Sequence, residues 1–456
     1  VVARLPYLAP ATVAPGTYRG QDAPIASFAA WNFVVGNAAM PDAAAHALTS
    51  AALSAADPAR EIAPSAAGTR AANAGTNRVL PFHPGAARAL REMGAAVPEI
   101  APLERNGGDA MEETWRWFGP DDPVTLEHVR QAGATGVVTA LHHLNQGRAW
   151  PEEEVAKRKA EIEAAGLAWS VVESIAVSED IKTRIGAFRE RIEDYKRSVR
   201  AVARAGVRTV CYNFMAVTDW TRTDLAWRVP SGGYALRFDW ADLAAYDLFV
   251  LRRPGAEADH PPGRRAAAEA RFRAMSEGDM AALEGTLIGW LPAREFTWDR
   301  ASFQRMLDIY GDTGAEGVRA NLFEFVREVA PVAAEEGARL WLHPDDPAFP
   351  IFGLPRAMST AGDARALLEA VPEPANGLTL CTGSFGSNGG NDLVAMAEEF
   401  APRVHFAHLR NVAIEPDGSF FEADHLDGRV DMVAVVAALM REEERRAAEG
   451  REDATI

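Results

Sequence analysis

From residue 111 onward the sequence predicts an α/β fold, a TIM (β/α)8 barrel lacking its last strand, preceded by a small N-terminal α/β fragment. Three observations predict it. A short apolar run, polar residues at its C-terminal end, a helical stretch and a glycine recur in that order. The runs are continuously apolar, as strands covered on both faces of a parallel sheet are. Three later runs end in residues able to bind a metal, at the strand ends where barrels carry their active residues.

Strand one is Thr114-Trp115-Arg116-Trp117-Phe118, halted by Gly119-Pro120. Residues 121–132 have helical spacing. Gly136-Val137-Val138-Thr139-Ala140-Leu141 is a buried strand that ends in His142-His143. Adjacent residues on a strand point to opposite faces, so at most one of these two histidines should enter the barrel mouth. Residues 151–165 form a helix with proline at its start, Glu152-Glu153-Glu154 in its first turn and Gly166 as its stop. Ala168-Trp169-Ser170-Val171-Val172 is strand three, ending in Glu173-Ser174. An amphipathic helix over 185–205 is stopped by Gly206, and Thr209-Val210-Cys211-Tyr212-Asn213-Phe214 is strand four.

The rhythm then breaks. Residues 216–315 read as a long insertion rich in Trp, Arg and Asp, with a strand pair around Tyr234-Ala235-Leu236-Arg237-Phe238 and helices from 266 on. Excursions of this length serve as lids or subunit contacts. A helix over 317–335 leads into strand five at 339–342, strand six follows at 378–380, strand seven at 404–407, and a helix at 431–448. An eighth strand would begin just past Ile456.

Residues 1–110 have a different composition, rich in Ala and Pro, and close on Glu104-Arg105-Asn106-Gly107-Gly108-Asp109. They contain an apolar run at 28–35, an Ala-rich helical pattern at 41–53 and a last helix opened by Pro81-Phe82-His83-Pro84-Gly85-Ala86-Ala87. His83, between two prolines, reads as a helix-start residue rather than a ligand.

Composition excludes several function classes. The 456 residues are 48% apolar and carry a net charge of −17, which argues against a general nucleic-acid binder. No apolar run approaches the roughly 20 residues that span a bilayer, so no membrane partner is expected. Two cysteines, Cys211 and Cys381, make no disulfide framework, and the expected compartment is the cytoplasm.

The chemistry-bearing stretch is 341–411. Arg339-Leu340-Trp341-Leu342 runs into His343-Pro344-Asp345-Asp346-Pro347, Leu378-Thr379-Leu380 into Cys381-Thr382-Gly383-Ser384, and Val404-His405-Phe406-Ala407 into His408-Leu409-Arg410-Asn411. The intervals hold a helix and loops each, so His343, Cys381 and His408 can share one strand-end site. Such mixed nitrogen and sulfur ligands leave room for substrate when only three or four come from protein. Cys211 lies inside strand four and reads as a buried structural thiol. Arg222 and Arg410 could clamp a carboxylate, and Asn213 could bind substrate hydroxyls. Asp424-His425 could form an acid/base pair in the loop after strand seven.

These motifs together resemble the D-mannonate dehydratase family. The resemblance rests on Thr139-Ala140-Leu141-His142-His143, Val171-Val172-Glu173-Ser174-Ile175, Glu179-Asp180-Ile181-Lys182-Thr183-Arg184, Asp219-Trp220-Thr221-Arg222-Thr223-Asp224 and the three ligand motifs above. It implies a barrel of the xylose-isomerase-like kind over residues 111–456. It also implies dehydration of D-mannonate to 2-dehydro-3-deoxy-D-gluconate in hexuronate (glucuronate) catabolism, Mn(II) or Fe(II) as cofactor, and a homo-oligomer. It maps metal ligands onto His343, Cys381 and His408. The family's fourth ligand, an Asp in an Arg-Pro-Asp-His-Gly motif, and its acid/base His and Tyr have no counterpart in this sequence, and Asp424-His425 does not match that motif. The chain as it stands is therefore expected to turn over poorly. Alternatives are another metal-dependent sugar or sugar-acid isomerase or lyase on the same barrel, or a solute-binding protein.

Residues 1–100 resemble the C-terminal part of TAXI-type TRAP transporter solute receptors, on Gly16-Thr17-Tyr18-Arg19-Gly20-Gln21-Asp22 and Pro81-Phe82-His83-Pro84-Gly85-Ala86. A receptor tail followed by an enzyme start at Met111 reads as two neighbouring genes joined.

Overall fold

A continuously apolar strand needs cover on both faces, and a parallel sheet ringed by helices supplies it. The computed structural model describes residues 8–13, 15–16, 21–30, 40–61, 68–77, 81–100, 111–144, 147–288, 298–451 and 453–456. The chain divides into two units, Val1–Gly108 and Asp109–Ile456.

In the first unit, β1 (Leu8–Val13) and β2 (Ile25–Ala30) pair antiparallel. Helix Asp42–Leu53 packs on helix Pro84–Glu92. Gly85 permits the approach, since a Cβ there would lie 2.1 Å from the Asp42 carbonyl oxygen. The Gly85 N–H donates to His83 Nδ1 at 3.2 Å, and His83 Nε2 bonds the Met40 carbonyl at 3.0 Å. His83 thus caps the helix. The residues 17–20, 31–39 and 101–110, which carry part of the receptor-like turn, part of the apolar run and the linker, lie outside the described residues.

The second unit holds β3 (Thr114–Arg116), β4 (Gly136–Thr139), β5 (Ala168–Glu173), β6 (Thr209–Tyr212), β7 (Asp224–Arg228), β8 (Tyr234–Phe238), β9 (Arg339–Leu342), β10 (Asn376–Cys381), β11 (Val404–His408), β12 (Asn411–Ile414) and β13 (Phe420–Ala423). Seven of these form a sheet in the order β11-β10-β9-β6-β5-β4-β3, with every pair parallel. The sheet curls strongly: His408 on β11 and Arg116 on β3 both reach Glu173 on β5. Val138, Val171, Cys211, Trp341 and Phe406 pack together inside the curl. A larger core lies between the sheet and its helices.

The helices sit where the spacing places them. Helix Glu152–Ala164 begins after Pro151, and helix Phe188–Arg204 follows β5. Gly166 and Gly206 stop the chain after them with φ of +75° and +89°, a region that glycine enters without strain. Two features differ from the expectation. Helix Arg300–Glu335 starts well before residue 317, and the φ/ψ of Gly314 (67°, 172°) breaks it into two pieces. The segment after β11 forms a hairpin, β12–β13, that joins β7 and β8 in a four-stranded antiparallel sheet of order β12-β13-β8-β7. Its turn, Glu415-Pro416-Asp417-Gly418, is a legible signal, but the strands are only four residues each. The insertion is thus secured by a partner that comes almost 200 residues later in the chain.

Candidate metal centre

His343 follows β9, Cys381 ends β10 and His408 ends β11, so three adjacent strands deliver the three side chains to one place. One ligand atom from each lies within 4.8 Å of the others. Among the described residues these three make up the group that could hold a metal ion.

The outward hydrogen bonds of both imidazoles set their tautomers. His343 Nδ1 bonds the Pro344 carbonyl at 2.7 Å, and a carbonyl only accepts, so the proton is on Nδ1. His408 Nε2 lies 3.2 Å from Glu173 Oε2, which places its proton on Nε2. The inward atoms, His343 Nε2 and His408 Nδ1, face each other 3.1 Å apart. Two lone pairs face each other at that distance only with a cation between or beside them: a shared proton or a metal ion. Carboxylate–histidine pairs such as Glu173–His408 are the usual support of a metal-bound imidazole. The residues present fit a metal.

The protonation states of the metal-free site agree. Burial would lower His408, but the Glu173 charge and the hydrogen bonds His408 gives to Cys381 and Glu173 outweigh it and raise it to about 10. Burial also opposes protonation of His343, whose pKa is nonetheless raised by the Cys381 sulfur. For Cys381, burial favours the thiol, but the Arg410 guanidinium and the two histidines hold it well below the ordinary thiol range. Cys381 also caps helix Thr382–Gly386 and accepts the Ser384 N–H at 3.4 Å. A thiolate in such surroundings is the form that binds metal. Burial opposes ionisation of Glu173 too, and Arg116 at 2.5 Å overcomes it.

Beside the ligands lies a buried knot of charge. Arg222 grips Asp346 with both terminal nitrogens, at 2.7 and 3.2 Å. Arg410 Nη2 donates to the same carboxylate at 2.7 Å, and Ser384 Oγ at 3.0 Å. Glu422 on β13 pairs with Arg222 at 3.1 Å and Arg410 at 3.4 Å. Asp346, Ser384 and Arg410 lie two or three residues past His343, Cys381 and His408, so the knot locks all three ligand loops together. Gly383 lets Arg410 in: a Cβ there would lie 2.1 Å from Arg410 Nε.

The expected residues fare differently. His343, Cys381 and His408 converge. Arg222 is fully buried and its terminal nitrogens are engaged, so the expected carboxylate clamp becomes a strut that fixes Asp346. Arg410 is shared: Nη2 is in the knot, and Nε has no hydrogen-bond partner among the described residues. Asn213 lies past the end of β6 and donates to Asp219 Oδ2 at 3.1 Å. Cys211 is fully buried in the inner cluster, where Thr379 donates to its sulfur. Asp424 and His425 are exposed on the loop after β13, apart from the ligand group. Glu173, Arg116 and Asp346 escaped the sequence reading as site residues. Glu173 ends an apolar strand as the ligands do, which was the available signal.

A family model for D-mannonate dehydratase (UxuA) matches residues 111–454, and one for the NMT1-like family matches residues 1–94. The chain is 54% identical over 346 residues to a mannonate dehydratase of Saccharophagus degradans, covering 76% of this chain and 87% of that protein. It is 54% identical over 341 residues to mannonate dehydratase 2 of Agrobacterium fabrum, covering 75% of this chain and 86% of that protein. The crystal structure of mannonate dehydratase from Streptococcus suis serotype 2 superimposes with a TM-score of 0.57 at 34% identity, over 73% of this chain and 82% of that one. Over residues 111–454 the chain belongs to the D-mannonate dehydratase family.

Proposed function

We propose that the chain is a metal-dependent hydro-lyase that converts D-mannonate to 2-dehydro-3-deoxy-D-gluconate and water, in hexuronate breakdown. The reaction removes the C2 proton and the C3 hydroxyl, and the resulting enol tautomerises to the 2-keto acid. The observation that carries the reading is the pair of facing imidazole nitrogens beside a thiolate, in a chain 54% identical to mannonate dehydratases. His343, Cys381 and His408 would hold manganese(II) or iron(II). When bound, that metal supplies a Lewis acid that grips the acid end of the substrate and acidifies C2–H.

The chain's own residues do the rest of the positioning. Glu173 fixes the ring of His408, and Arg116 keeps Glu173 ionised. Arg410, anchored on Asp346, places a cation beside the thiolate and toward an anionic substrate. Asn213, at the same end of the barrel, is suited to a substrate hydroxyl. No described helix is long and apolar enough to cross a membrane. The cytoplasm as compartment and a homo-oligomer as working form complete the proposal.

The test loads the purified 456-residue chain with manganese or iron, then measures metal content, D-mannonate binding and 2-keto acid formation. One metal per chain, D-mannonate binding and slow formation of the 2-keto acid are expected, with all three lost in Cys381→Ser. A chain that takes up metal yet neither binds nor dehydrates D-mannonate, while isomerising another sugar, overturns the reading.

A further inference from the structure

His142 has no role in the account so far, and its surroundings are unusual. Both of its ring nitrogens are shut off from solvent and lack a hydrogen-bond partner among the described residues. A buried polar atom without a partner costs about 1–3 kcal/mol, so such atoms mark places that are completed by something else. Its neighbour His143 shows the contrast, being exposed and paired with Glu154 at 3.2 Å on the helix outside the barrel.

The register says where His142 sits. Arg116, Glu173, His343 and His408 come from alternate strands, β3, β5, β9 and β11, and touch one another in a chain. That is how one interior layer of a barrel is built. On β4, Val138 belongs to the inner cluster below this layer. The next position of the same parity is Ala140, fully buried, and after it comes His142, opening the short turn His142–Leu144. His142 thus follows the C-terminal end of β4, the same end of the sheet at which His343 and His408 follow or close β9 and β11. Its ring lies 5.7 Å from that of Phe118, which rims the mouth from the end of β3.

The chemistry at that place is defined. Burial, then the charges of Arg116 and Arg158, push His142 down to about 3. It is neutral at working pH, with one N–H donor and one acceptor, and too weak a base to take a C2 proton. A neutral donor–acceptor pair suits a hydroxyl group.

We infer that His142 is a substrate-binding residue, hydrogen-bonding the hydroxyls of the sugar acid that lie farther from the metal than C3. The inference rests on the dehydratase reading. A sugar acid held by its carboxyl end at the ligand layer extends its C4–C6 hydroxyls by several ångströms, at the end of the sheet where His142 stands.

Calorimetry on the manganese-loaded 456-residue chain tests it with two probes. D-mannonate carries all the hydroxyls, whereas D-glycerate has only the carboxylate and the first two. His142→Phe is expected to weaken D-mannonate binding about tenfold, the value of one hydrogen bond, and to leave D-glycerate binding unchanged. His142→Gln, which keeps a donor and an acceptor, should recover most of the loss. Manganese affinity should match the parent in both variants, and the melting temperature should not fall in either. Equal D-mannonate affinity in parent and His142→Phe overturns the inference. So does parallel loss of both acids, or a fall in manganese affinity or melting temperature, since each marks a structural role. A parent chain that binds no D-mannonate overturns the dehydratase reading itself, and this inference with it.

Discussion

Two clusters of buried charge lie side by side at the ends of β9, β10 and β11, and they are finished to different degrees. In the knot, Asp346 accepts from Arg222, Arg410 and Ser384, and Glu422 balances the second guanidinium. The ligand cluster next to it sets two imidazole nitrogens 3.1 Å apart beside a sulfur. In the knot the carboxylates and the terminal guanidinium nitrogens engage one another, and only the Nε atoms of Arg222 and Arg410 lack a partner among the described residues. The ligand cluster instead has its imidazole nitrogens face to face beside the sulfur. Buried charge that satisfies itself belongs to the architecture, and buried charge that does not is where a ligand is expected.

The sharpest way to break this contrast is Asp346→Ala. It leaves two guanidinium groups with the single carboxylate of Glu422 between them, one of the two fully buried. Removing one partner of such a pair costs about 3–5 kcal/mol. Urea unfolding of the metal-free protein should show a loss of that size.

Glu173→Gln acts on the other cluster. It keeps the shape but weakens the acceptor that orients His408, so manganese affinity should fall by about 10–100-fold. Metal-titration calorimetry reads this directly, and an unchanged affinity would remove Glu173 from the site.

The smallest effect concerns His405, three residues from His408 but facing other partners. Arg446 Nη1 donates to its Nδ1 at 3.1 Å, and its ring stacks on Trp341. Burial first, then Arg446, push it down to about 3. An unfolded histidine titrates near 6.5, so between about pH 6.5 and 3 the unfolded chain binds the extra proton. Stability from this group is present above that window and is lost as pH falls through it. Replacing His405 with Phe should flatten the acid limb of a stability–pH curve by at most ~1.4 kcal/mol per pH unit.

Much of this was legible in the sequence because it follows from periodicity. The apolar runs at 136–141, 168–172 and 404–407 became β4, β5 and β11, and the three candidate ligands stand at run ends, where the structure brings them together. The knot was not legible. It needs Arg222, Asp346 and Glu422, which are 124 and 200 residues apart in sequence, and no local pattern links them. The hairpin β12–β13 escaped because its strands are short and gain their stability from β8. The carboxylates that engage Arg222 were not legible for the same reason: an arginine in an insertion looks free until its distant partners are placed.

The route of Arg222–Glu422 also bears on when the site comes into being during folding. Contacts closing 124 and 200 residues of chain form slowly, because the loop must close before the bond repays it. β9, β10 and β11 are neighbours in the sheet, with helices between them, and the three of them can dock as a block. Their tips are tied to one another by Asp346, Ser384 and Arg410, and the inserted segment and the hairpin add Arg222 and Glu422 to that knot once the long loops have closed. The candidate site thus gains its full bracing only once the longest loops of the barrel unit have closed.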